Sequence, residues 1–117
     1  MSLTHNDLAI VAQVMAILKK EYKYHLSHAT LANRFHISES KLRKIFKQVT
    51  DKTINDFLTD VRIEKAKEFL CTTDDPIKKV AFNVGYDTRN LEKKFKILTD
   101  MTPLEWKNKN RQRSIAS

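Results

Sequence analysis

Lys41, Arg43, Lys44 and Lys47 stand together in one short run, "ESKLRKIFKQV", where Leu42, Ile45, Phe46 and Val49 recur at three- and four-residue steps. That spacing predicts a helix with the apolar residues on one face and Glu39, Ser40, Lys41, Arg43, Lys44 and Lys47 on the other. A cationic helix face binds anions, and an arginine can do more. Its forked donors match two acceptors on a guanine edge at once, for about 1–3 kcal/mol of discrimination. Arg43 is the first candidate to read a base; Lys44, beside it on the same face, can take a base or a phosphate. A second run, "TRNLEKKFKIL", is expected to bury Leu91, Phe95 and Leu98 and to turn out Thr88, Arg89, Asn90, Glu92 and Lys93. Asn90 carries the amide that suits adenine, and Glu92 the acceptor that suits cytosine. Lys47, Lys94 and Lys96, with Lys78 and Lys79 further upstream, suit phosphates, which position a protein without specifying sequence. One basic stripe is ordinary helix surface. Two on matching elements ask for a shared polyanionic partner.

The bulk properties agree. A formal charge of +8 and a pI near 9.7 favour nucleic acid first and an acidic membrane second. With 117 residues and 41% hydrophobic content, the chain can bury the core of one domain, or of two very small ones. Other chemistries lack their residues. His5, His25, His28 and His36 have no metal-ligand spacing and no cysteine companions. There is no Gly-rich phosphate loop, nucleophile elbow, or acid pair set with a base, so neither a catalytic residue nor a cofactor is expected. Cys71 is the only cysteine; it is expected to pack as a small buried residue and fits a reducing cytoplasm. No apolar run is long enough to span a bilayer.

The elements that must hold these faces are all helical. Asp7 is expected to cap a first helix reaching about Tyr22, whose apolar residues nearly encircle it. Such a helix is buried on more than one side or docks a partner, and burial within this domain is the simpler reading. Ser27 caps a second helix ending near Phe35, with Leu31, Ala32 and Phe35 inward; Ser38 caps the third. Thr53 starts a fourth, with Asp56 placed as in a capping box and Ile54, Phe57, Leu58, Val61, Ala66, Phe69 and Leu70 as its stripe. It runs about eighteen residues, roughly 27 Å. Asp75-Pro76 reads as an N-cap with proline at the first helical position. Ile77, Val80, Ala81 and Val84 line the fifth helix, and Gly85, the only glycine, ends it. A sixth begins near Thr88. Thr102-Pro103-Leu104-Glu105 opens the last, which carries Trp106 and then frays from Lys107 to Arg113 into a basic tail. The six phenylalanines are expected mostly in the core.

Set side by side, "LANRFHISESKLRKIFKQVTDKT" and "VAFNVGYDTRNLEKKFKILTDMT" share one plan. Each is a short apolar helix, a tight turn and a helix with one basic face: a helix-turn-helix whose second helix fits a major groove. The fold class is all-α, with two such subdomains joined by a long linker helix and about seven helices in all. The boundaries are 1–52 for the N-terminal subdomain, 53–71 for the linker, 72–113 for the C-terminal subdomain and 114–117 for the tail. The linker is expected to act as a stiff spacer between two readers, whose sites would lie about one helical turn, roughly 34 Å, apart. Two other readings stay open: a helical adaptor whose basic face binds an acidic protein or a membrane, and a binder of structured RNA, for which stacking aromatics on a sheet are absent.

The segment "RIEKAKEFLCTTDDPIKKVAFNVGY", followed by "FKILTDMTP", carries a family likeness. From about Ile17 to Lys107 the chain resembles the DNA-binding region of the AraC/XylS transcription regulators. The resemblance implies a bacterial, cytoplasmic regulator that binds double-stranded promoter DNA, usually activates transcription and contacts RNA polymerase. It also implies a sensing domain in most members, so this chain can be the C-terminal part of a longer regulator. Groove contacts map by resemblance onto Ser40, Arg43 and Lys44. The chain departs from the family pattern at Asp51 and Asp100, where glycine is common after each recognition helix, and at His36 in the first turn. Aspartate tolerates a left-handed backbone, so these turns are expected to survive. Tyr86 to Leu91 is one residue shorter than the family's usual spacing, which would shift the start and phase of the second recognition helix.

Overall fold

The computed structural model describes residues 2–116, with side chains through Arg111. Its helices are α1 (His5–Lys20), α2 (His28–Arg34), α3 (Glu39–Thr50), α4 (Ile54–Thr72), α5 (Ile77–Asn83), α6 (Thr88–Thr99) and α7 (Pro103–Ala116). No strand occurs among the described residues. The chain forms two compact units that divide between Leu58 and Thr59, inside α4.

In the first unit Thr4, not Asp7, is the N-cap of α1. Its hydroxyl accepts from the Asp7 amide at 3.0 Å, and the Asp7 carboxylate accepts from the Thr4 amide at 3.1 Å. Asp7 is therefore the third helical residue of a capping box, and its acid suits that place as well as it would suit a cap. The helix ends at Lys20, two residues short of expectation. Ile10, Val11, Val14 and Leu18 make one buried stripe, while Leu8 is exposed. Ala9, Ala12 and Ala16, which make α1 apolar nearly all round in sequence, are exposed and bury almost nothing. The stripe packs with Leu31, Ala32, Leu42, Ile45, Phe46 and Ile54 in one core.

Ser27 and Ser38 cap α2 and α3 as expected, each hydroxyl accepting from the amide three residues on. Between them His36 takes φ 57°, and α3 ends on Asp51 at φ 61°. Both are left-handed, at the positions where glycine was missing. Val49 is 38% exposed rather than buried. It has the right angular position, but in the last turn of α3 a side chain on the apolar face has few neighbours beyond the helix end.

The second unit repeats the first. Leu31 to Phe57 matches Val80 to Trp106 residue for residue, without insertion or deletion. The Ile37 amide bonds to the Ala32 carbonyl at 3.2 Å, and the Tyr86 amide to the Ala81 carbonyl at 2.9 Å. Gly85 (φ 87°) stands for His36 and Asp100 (φ 61°) for Asp51. Thr50 and Thr99 close the same bonds to the Phe46 and Phe95 carbonyls. Phe46 meets Phe57 edge-on at 5.6 Å, as Phe95 meets Trp106 at 5.9 Å. Asp87 caps α6 where Ser38 caps α3, so the second helix starts and turns in the same phase as the first. The short Tyr86-to-Leu91 spacing causes no shift.

Several expectations fail in this unit. Pro76 itself is the N-cap of α5 and no side chain caps it; Asp75 pairs instead with Lys79 at 3.5 Å. Leu98 is 47% exposed, for the same helix-end reason as Val49. Phe82 is 66% exposed, because Val80, Ala81 and Val84 fill the inner side of the short α5 and Phe82 lies about opposite them at helical spacing. Cys71 is exposed next to the buried Leu70. Ile63, outside the expected stripe, is buried with Ala66 and Leu70 at i, i+3, i+7 spacing. Ile54, with Phe57 and Leu58, serves the first core, and Ile63 onward belongs to the second unit, so α4 carries two stripes, not one. Lys107 to Arg113 does not fray; α7 continues to Ala116. Arg111 donates to the Thr73 carbonyl at 2.6 Å and pairs with Asp74 at 2.7 Å.

Three carboxyls lie below their ordinary values of 3.8, 3.8 and 4.5. The Thr4 amide holds Asp7 down, the Arg111 guanidinium Asp74, and the Thr102 amide Glu105. A depressed folded-state value contributes stability that is complete above the unfolded value and lost as pH falls through the folded one. The urea midpoint should be flat above about pH 5 and fall below about pH 4. Asp7→Asn should shrink that fall, and an acid slope unchanged by Asp7→Asn would remove Asp7 from the account.

Candidate nucleic-acid interface

The outer face of α3 presents Ser40, Lys41, Arg43, Lys44 and Lys47, all exposed, while Leu42, Ile45 and Phe46 are sunk in the core. On α6 the exposed set is Arg89, Asn90, Glu92, Lys93 and Lys96, with Thr88 half-buried and Leu91 and Phe95 anchoring the inner side. The repeat aligns these faces: Ser40 with Arg89, Lys41 with Asn90, Arg43 with Glu92, Lys44 with Lys93 and Lys47 with Lys96. Lys94 falls at the position of the buried Ile45 and is half-buried, off the outer face. Lys78 is exposed at the start of α5, and Lys79 is engaged with Asp75.

The two faces differ in how far their side chains are already held. On α3, Lys41 lies 3.6 Å from the largely buried Asp7 carboxylate. Arg43 donates to Glu39 and, through Nε, to His28 Nδ1 at 3.3 Å. Lys47 donates to the Asp51 carbonyl at 3.2 Å, satisfying one of the free acceptors at the end of α3. On α6, Asp87 holds Asn90, its carboxylate accepting from the Asn90 amide at 2.7 Å and facing the side-chain nitrogen at 3.4 Å. The side chains of Arg89, Glu92 and Lys93 make no hydrogen bond or ion pair with a described residue. Both faces offer donors to a partner, with Lys41, Arg43 and Lys47 already engaged on α3 and Asn90 on α6.

Sequence spacing did not single out two side chains at this site. His28 and Asn55 reach Arg43's surroundings from α2 and α4, and their distance along the chain hides them from any periodicity argument. The comparison of repeats was the one available signal, since Ile77 and Leu104 hold their places in the second unit. Among the described residues no group of three His, Cys, Asp or Glu side chains could hold a metal ion. No described helix is long and apolar enough to cross a membrane.

Comparison with known proteins places this geometry. A helix-turn-helix domain family matches residues 31–109. An HTH-type transcriptional regulator from the cgkA 5′ region of Pseudoalteromonas carrageenovora is 33% identical over 99 residues, spanning 84% of this chain and 58% of that protein. The arabinose operon regulatory protein of Salmonella typhimurium is 33% identical over 84 residues, 71% of this chain and 30% of its own. The DNA-binding domain of AdpA, solved in complex with a target DNA, superposes with a TM-score of 0.83 at 23% identity, covering 88% of this chain and 94% of that one. The chain thus spans between 13% and 58% of the length of the first curated relatives it matches. Since the matched segment takes in α3, α4, α5 and α6 with both left-handed turns, the chain belongs to the AraC-type helix-turn-helix family of transcription regulators.

Proposed function

We propose that this chain binds double-stranded DNA sequence-specifically, with α3 and α6 each entering the major groove over one of two adjacent segments of a promoter. The observation that supports this most is the repeat itself. Twice the chain builds a capped helix behind a left-handed turn, buries a Leu and a Phe four residues apart, and leaves cationic residues outward. An adaptor binding an acidic protein would need charge but not the same turn and helix phase twice. In this reading Arg43 reads a guanine, Ser40, Lys44, Arg89, Asn90, Glu92 and Lys93 face base edges, and Lys41, Thr88, Lys47 and Lys96 meet or flank the backbone. Residues 1–52 and 72–113 form the two readers and 53–71 the linker between them. The regulator acts as an activator in a bacterial cytoplasm, contacts RNA polymerase, and is the DNA-binding part of a longer chain with a sensing domain. No catalytic step belongs to it.

Titration with duplex DNA of random sequence at two salt concentrations tests the class of partner. Affinity should fall steeply with salt, by close to one logarithmic unit of slope per neutralised phosphate. Lys47→Ala should weaken specific and random duplexes alike and flatten the slope by about one unit. A chain with no affinity for duplex DNA even at low salt belongs to the adaptor class instead.

A further inference from the structure

Arg43 is held from three helices. One terminal nitrogen, Nη2, donates to Glu39 on α3 itself; its Nε–H donates to His28 Nδ1, on the first residue of α2; and His28 Nε2 lies 3.3 Å from Asn55 Oδ1, in the first turn of α4. The two histidine bonds demand one tautomer, with the proton on Nε2 and the lone pair on Nδ1. Donors and acceptors then alternate from Arg43 through His28 to Asn55. Arg43 and Asn55 are exposed and His28 half-buried, so the chain of bonds adds little to stability. What it removes is the rotational freedom of a long side chain.

The second unit supplies the comparison. At the places of His28, Asn55 and Arg43 it carries Ile77, Leu104 and Glu92. The polar chain is kept only in the unit whose helix has the arginine, and where that residue changes, both supports become apolar. A general structural need of the fold would have kept them in both.

We propose that His28 and Asn55 are positioning residues for sequence recognition, holding Arg43 so that it meets DNA end-on. With Nε given to His28 and one Nη2 hydrogen to Glu39, the Nη1 hydrogens and the second Nη2 hydrogen are left for the N7 and O6 acceptors of a guanine. This rests on the reading of Arg43 as the base-contacting residue. The gain is in ordering: an arginine already fixed loses less freedom on binding the right sequence, which is worth about 3- to 10-fold in affinity. Random duplexes, held through phosphates, gain nothing from it.

The test uses two probes, a duplex selected from a random pool by the unmodified chain and a random-sequence duplex of equal length. His28→Ala should lower affinity for the selected duplex about 3- to 10-fold and leave the random one unchanged. His28→Asn, whose amide oxygen can stand where Nδ1 stands, should restore most of the loss. In an Arg43→Ala background, His28→Ala should cost nothing further. If Arg43→Ala collapses discrimination but His28→Ala does not, the positioning role is overturned while Arg43 remains a reader. Equal losses on both duplexes for His28→Ala also overturn it, since they signal a structural role, and melting midpoints check that directly. If Arg43→Ala leaves discrimination intact, the reader and its supports fall together.

Discussion

Arg43→Ala should relax the preferred site at one base pair, with discrimination there falling about 5- to 150-fold, the equivalent of about 1–3 kcal/mol. The fold should hardly notice. Arg43 and Glu39 have side chains 57% and 41% exposed, and an exposed helical ion pair of this spacing contributes about 0.3–0.5 kcal/mol. Binding and stability therefore separate at this position. Arg43→Lys should fare little better than alanine, because a point charge cannot form the two parallel bonds of a guanidinium. Selection profiles for the two proteins, compared position by position, measure the effect. Equal loss on selected and random duplexes would mean that Arg43 holds a phosphate, as Lys47 is expected to.

Phe95→Ala should act through the opposite route. Phe95 is fully buried under α6 and packs edge-on against Trp106. Removing a buried phenylalanine ring costs about 3–5 kcal/mol, and the lost aromatic pair adds about 0.5–1.5 kcal/mol. A unit of roughly sixty residues has only about 3–9 kcal/mol to lose. The second unit should be largely unfolded or close to it at room temperature, visible as lost helical signal and a lowered urea midpoint. Recognition of its DNA segment should go with it. Leu98→Ala, three residues further on, is the control: an exposed side chain should change stability by no more than about 0.5 kcal/mol. Similar effects from the two substitutions would contradict the packing described for α6.

Those two residues also mark where sequence reading stops. Phe95 and Leu98 share the apolar face of one helix, and periodicity gives them equal standing. Only the position of the helix end separates them, and Val49 is misread in the first unit for the same reason. Phe82 and Ile63 show a related limit, since a stripe drawn along one helix cannot say which of its sides meets a neighbour. The helix starts, by contrast, are legible at most places where a local device sets them; α1 is the exception, its capping box opening on Thr4 and not on Asp7. Ser27, Ser38, Thr53 and Thr102 all accept from the amide three residues on, a bond that needs no tertiary partner. Pro76 was misplaced by one position because no side chain marks that cap. His36, Asp51 and Asp100 were expected to go left-handed on the strength of their place in the motif, and all three do. At the site, the exposed cations of α3 and α6 could be read from spacing alone. The supports of Arg43 could not, because His28 and Asn55 come from other helices and neither residue type announces that role.

The central claim is that one chain carries two separate readers of duplex DNA. Selecting bound duplexes from a random pool, then footprinting the chain on the selected sequence, tests it most directly. The account predicts two short protected boxes, with Arg43→Ala altering the preferred base in one and Glu92→Ala in the other. A single continuous box of only a few base pairs, or one box altered by both substitutions, would contradict it.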